Sequence, residues 1–178
     1  MAIGGAIDKE DPVIMREFIR RSGGADSQIV VLPQASILPE TGEMFVHQFL
    51  ELGAGQAVSI EFRQRGEADT PENLAALRQA TGIFLSGGIQ MRIATLMGGT
   101  AFEAEMMAAY RRGCLIGGTS AGASILSKTM IAHGRGGPTP RERIVQLSAG
   151  LGFTDRFVFD QHFRQRDRLG RLIYAVAS

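Results

Sequence analysis

A single cysteine, Cys114, excludes any intrachain disulfide framework. Its place in the apolar run before "GGTSAG" reads as an inert core thiol, and a reducing compartment fits it. Lysine is nearly absent too: Lys9 and Lys128 are the only two, and the other 17 of the 19 basic residues are arginine. A guanidinium makes planar two-pronged contacts with carboxylates that an ammonium cannot, so the bias hints at anion recognition. No long run of one charge sign occurs, and the formal net charge is +1, from 19 basic against 18 acidic residues. That balance gives no electrostatic footing for nucleic acid or an anionic membrane. No stretch of about 18 apolar residues is present, and the opening "MAIGGAIDKEDP" has no basic segment leading into an apolar run. The chain is therefore expected to be soluble, unexported and cytoplasmic. No grouping of ligand residues suggests a metal, and no cofactor is expected.

With 178 residues and 44% apolar composition, the chain fits one compact domain with a real core. Short apolar runs alternate with longer amphipathic stretches, the pattern of βα units in an α/β fold whose mainly parallel sheet is covered by helices. Strands are expected at Ile3, 29–33, 57–62, 82–85, 115–117 and 157–159. Helices are expected at 11–21, 41–52, 70–79, 89–97, 101–112, 120–127 and 165–176. Asp11-Pro12 and Asp69-Thr70-Pro71 each set a capping side chain before a proline suited to the first helical position. The stretch "AHGRGGPTPRER", 132–143, concentrates glycine, proline and charge and reads as an exposed loop. "AIGGAID" looks like the end of a buried strand and "RLIYAVAS" stops inside an apolar helical pattern without a cap, so both ends are expected to be cut.

In an open parallel sheet, ligands bind beyond the carboxyl ends of the strands. Three turns fall at such ends: "LSGGIQ", "GGTSAG" and "DQHF". Gly118-Thr119-Ser120-Ala121-Gly122 satisfies G-x-S-x-G in the strand-turn-helix setting the motif requires. Small neighbours let the serine hydroxyl stand out of a strained turn, while the Ala121 N–H faces where an oxyanion would form. The other reading is a tightly packed, inert turn, and the pentapeptide alone leaves both open. A serine nucleophile needs a base, and the chain has three histidines. His47 lies in an amphipathic stretch beside Phe45 and Phe49 and His133 lies in the glycine-rich loop, whereas His162 follows an apolar strand and is the best candidate. Arg164, Arg168 and Arg171 would share one face of the helix that follows, either as a solvated basic face or as a carboxylate-recognition site. In "SGGIQ", the two glycine N–H groups, including that of Gly88, offer the second donor that an oxyanion hole needs.

These motifs together carry a resemblance. "FLSGGIQMRI", "GGTSAGAS", "SAGLGF" and above all "DQHFRQRDRLGRL" resemble the cyanophycinases and, more broadly, the peptidase E family of serine exopeptidases, over essentially the whole chain. The resemblance implies a doubly wound α/β fold with helices on both faces, as a single domain over 1–178, assembled as a homodimer. It implies Ser120 as nucleophile and His162 as general base. Gln90, Asp160, Gln161, Arg166, Arg168 and Arg171 match residues that line the family's substrate pocket, and no metal is implied. The implied partner is cyanophycin or another β-aspartyl peptide. Cyanophycin has a polyaspartate backbone with arginine on each β-carboxyl, and it is released as β-Asp-Arg dipeptides. Two departures stand out. The family places its triad acid on a strand after the arginine helix, beyond where this sequence stops, and the usual polar residue between Gly88 and Gln90 is here Ile89. An aspartyl dipeptidase of the peptidase E type and a non-catalytic binding module are the competing readings. A phosphate-binding role for the glycine turns lacks the G-x-x-x-x-G-K-[ST] run.

Overall fold

The computed structural model describes residues 1–8 and 10–178. Five strands, β1 (Ala2–Ile3), β2 (Gln28–Leu32), β3 (Gln56–Ser59), β4 (Gly82–Leu85) and β5 (Leu115–Thr119), form one parallel sheet in the order β1-β5-β4-β2-β3. The central strands are unbroken apolar runs because alternate residues are buried on opposite sides. Ile29, Val31 and Phe84 serve one face, and Val30, Leu32, Ile83 and Leu85 serve the other.

Each apolar face needs its own helical layer. On the first face, α1 (Val13–Arg21) and α2 (Thr41–Glu51) bring Phe18, Phe45 and Phe49 around Phe84, with ring centroids between 5.1 and 5.6 Å apart. Each buried phenylalanine contributes about 1.5–3 kcal/mol, so this cluster fixes both helices to the sheet. The second face is covered by α3 (Pro71–Gln79), α4 (Gln90–Met97), α5 (Ala101–Arg111) and the single turn α6 (Ala121–Ser124). Leu77, Ile93, Met97, Phe102 and Met106 of these helices are fully buried there. The chain is thus a doubly wound α/β domain, and no described helix is long and apolar enough to cross a membrane.

Several expected elements differ. Thr70 caps α3 by accepting from the Asn73 N–H with Pro71 at the first turn, but Asp11 caps nothing. Pro12 itself occupies the position before α1, and the Asp11 N–H donates instead to Asp8 Oδ1. Residues 157–159 pair with no strand: Phe159 is held by hydrogen bonds to Ser127 and Ser124 side chains, and Phe157 faces solvent. Part of the stretch read as a loop is a strand. An antiparallel hairpin of β6 (Thr129–Gly134) and β7 (Val145–Ala149) packs Ile131 and Val145 against Ala175 of α7 (Leu169–Ala177). That last helix starts at Leu169 rather than 165, after a turn in which His162 and Asp167 take φ of 48°. Arg164, Arg168 and Arg171 therefore do not share a helix face.

Candidate active site

Ser120 sits between β5 and α6 with φ 53° and ψ −110°, a conformation that a side-chain-bearing residue adopts only when its surroundings force it. Gly118 and Gly122 provide the room. A Cβ on Gly118 would run into the Gly122 carbonyl, and one on Gly122 into Leu85 O, so the turn closes only with glycine at both places. Cys114, further back in the same run, is buried, which pushes its thiol up to about 11 and leaves it unreactive.

The end of β1 holds the rest in place. The Ser120 N–H donates to Ile3 O at 2.9 Å, the Thr119 hydroxyl to Gly5 O, and the His162 N–H to Gly4 O. His162 is thereby set beside a serine 42 positions away, with Nε2 3.0 Å from Ser120 Oγ. The same hydroxyl lies 3.0 Å from Gln161 Oε1, so two acceptors share one proton. Reversing the Gln161 amide would make it a donor to Oγ and leave the proton to His162. Burial first, and then the nearby Arg166 and Arg168 charges, hold the His162 ring below its ordinary value of 6.5, which favours the neutral, proton-accepting form. Among the described residues no carboxylate forms an ion pair with this ring.

A cavity of about 310 Å³ opens over Ser120 and His162. It spans the carboxyl ends of β1, β2, β4 and β5 through Ala6, Ser36, Gly87 and Thr119, with Phe45 of α2 as an apolar wall. Gly87, not Gly88, is the glycine of "SGGIQ" that faces it: the Gly87 Cβ position is 3.3 Å from Ser120 Cβ. Gly88, at φ 140°, is packed against the Ala35 carbonyl. The N–H of Ala121, first residue of α6, has no partner within that helix.

The remaining expected site residues divide. Arg166 is exposed, in no ion pair among the described residues, and close enough to His162 to act on its charge. Arg168, Arg171 and Asp160 lie inside, their side chains 8%, 5% and 0% exposed. Arg171 grips the Asp160 carboxylate with Nε (2.8 Å) and Nη2 and donates to Gly134 O at 3.0 Å. Arg168 donates to Gln161 O and reaches Asp160 at 3.5 Å. Arg171 and Arg168 Nη1 are engaged within the protein, while Arg168 Nε is buried without a partner, so the expectation that all three residues touch substrate gives way to a buried cluster that ties β6, α7 and the "DQHF" turn together. Gln90 is corrected likewise: it is buried, and its Nε2 donates to Ile131 O (2.8 Å) and Ala132 O (3.0 Å), joining α4 to β6. His47 is exposed and pairs with Glu51, and His133 lies on the hairpin. No group of three or more His, Cys, Asp or Glu among the described residues is placed to hold a metal.

The model of peptidase family S51 matches residues 1–178. The chain belongs to peptidase family S51. It is 39% identical over 181 aligned residues to a cyanophycinase of Synechococcus elongatus, covering 100% of this chain and 56% of that one. It is 36% identical to a cyanophycinase of Trichormus variabilis, covering 61% of it. The chain thus spans a little over half the length of these relatives. A solved peptidase from an acI-B1 Actinobacterium has the same fold, with a TM-score of 0.70 at 21% identity over 92% of this chain and 67% of that one.

Proposed function

We propose that the chain carries the nucleophile and general base of a serine exopeptidase that hydrolyses cyanophycin to β-Asp-Arg dipeptides. The observation behind this is the Ser120 hydroxyl, raised on a positive-φ turn and 3.0 Å from His162 Nε2. Nε2 takes the hydroxyl proton as Oγ attacks the scissile carbonyl, then returns it to the leaving amine. The N–H groups of Ala121 and Gly87 stabilise the oxyanion, and water resolves the acyl-enzyme by the reverse proton path. Arg166, exposed and near enough to His162 to act on its charge, is the candidate for a free aspartyl or chain-end carboxylate, while Asp160, Arg168 and Arg171 hold Gln161 and His162 in position. The substrate is supported by the cyanophycinase relatives at 36–39% identity.

A second reading, a binding module that does not cleave, is favoured by one feature. No described carboxylate orients the His162 ring, and a triad without its acid loses orders of magnitude in rate. The test is release of β-Asp-Arg from purified cyanophycin by wild type and Ser120→Ala. Release by wild type that falls about 10⁴-fold or more in the variant supports the proposal. Polymer binding with no release by either protein supports the module.

A further inference from the structure

A second cavity of about 310 Å³ lies next to the first, and Ser36 lines both. It opens beyond the carboxyl ends of β2 and β3, and its chemistry is two-signed. Glu61, Arg63 and Arg92 all line it, together with Gln34. Glu61 and Arg63 are exposed and in no ion pair among the described residues. Arg92 spends only its Nε, on Gln34 O at 3.0 Å. Gln34 is 4% exposed; its Nε2 donates to Ile60 O at 2.7 Å, and its Oε1 is buried without a donor. A buried amide oxygen left without a donor is uncommon in proteins and marks a place where an N–H is expected. Ile37, Leu38 and Pro39 add an apolar rim.

We infer that this cavity is a second arginyl subsite, holding the repeat unit one beyond the two that flank the scissile bond. Each arginyl unit of cyanophycin ends in a guanidinium and a free α-carboxylate joined by a short aliphatic stem. The guanidinium finds its acceptor in the Glu61 carboxylate, one oxygen of which also takes the Ser59 hydroxyl at 3.4 Å; the carboxylate finds the Arg63 and Arg92 guanidiniums, and the stem lies along Ile37 and Leu38. The volume sits at the low end of the roughly 300–1,000 Å³ of small-molecule sites, which suits one amino-acid unit. The shared Ser36 wall makes the two cavities consecutive along one polymer. This inference rests on the cyanophycin reading above.

The test compares kcat/KM for cyanophycin and for the two-unit peptide (β-Asp-Arg)₂ in wild type, Glu61→Gln and Arg63→Ala. Both side chains are exposed, so the core is untouched. The polymer-to-peptide ratio is expected to fall about tenfold in each variant, the loss of one charged hydrogen-bonded contact. An unchanged ratio overturns the subsite. If wild type cleaves neither substrate, the peptidase reading fails on its own, and calorimetry with β-Asp-Arg decides the cavity. One site fewer per chain in the Glu61→Gln, Arg63→Ala double variant supports it, and equal stoichiometry overturns it.

Discussion

Asp160→Asn separates a buried positioning role from a substrate contact. The substitution keeps the side-chain shape and removes one charge, leaving Arg168 and Arg171 inside at 8% and 5% exposure with no counter-ion. Breaking a buried pair in this way costs about 3–5 kcal/mol, because desolvated charge is left uncompensated. The asparagine oxygen still accepts one guanidinium N–H, which sets the expected loss near the lower figure, about 3 kcal/mol. For a chain of this size each kcal/mol moves the midpoint by roughly 2–4 °C, so Tm should fall by about 6–12 °C. Circular dichroism melts give the shift, and urea titrations should show a lower midpoint at unchanged slope. The loss should persist in moderate salt, since buried charges are weakly screened. A variant that melts within about 1 °C of wild type and shows only a raised KM would refute the cluster and return Asp160 to the substrate pocket.

Gly122→Ala drives a Cβ into Leu85 O, and urea denaturation should show a cost of roughly 1–3 kcal/mol or more, with hydrolysis lost at temperatures where the fold survives. Because burial and two arginines hold His162 below 6.5, kcat/KM should stay level from neutral pH down past 6.5 before it falls. Arg166→Ala should move that acid limb upward, and a pH profile in which the limb moves down or stays put contradicts the assignment. The same depressed value stabilises the fold fully above about 6.5, and that share is lost as pH falls through the lower folded value. Gln90→Leu should cost about 1–3 kcal/mol by stripping the Ile131 and Ala132 carbonyls of a donor, while KM stays at the wild-type value.

The central strands were legible because a parallel strand buried on both sides is an unbroken apolar run, as in "QIVVL" and "GIFL". The β6–β7 hairpin was hidden because its connecting arm is rich in glycine, proline and charge, which outweighed the apolar Met130 and Ile131 at its start. Residues 157–159 misled for the opposite reason: the run is apolar, but it covers a corner of the core with Phe159 and never meets a strand edge. At the site, Ser120 could be read from its strand-end turn; the run before His162 proved to be no strand, yet the structure brings that ring to 3.0 Å from the Ser120 hydroxyl. The fate of Asp160, Arg168 and Arg171 could not be read. The same residue types would serve a carboxylate site if exposed, and whether they pair with ligand or with each other depends on burial that the sequence does not display. Both glycines of "SGGIQ" offered an N–H, and that Gly87 rather than Gly88 faces the cavity could not be read, because two adjacent glycines differ only in which one the backbone turns toward it.

The most direct test of the central claim is mapping covalent modification by a serine-directed organophosphonate, using peptide mass spectrometry on wild type and His162→Ala. A single adduct on Ser120 in wild type, lost or slowed by orders of magnitude in His162→Ala, is the predicted result. An adduct on another residue, or labelling of Ser120 that does not depend on His162, would contradict the account.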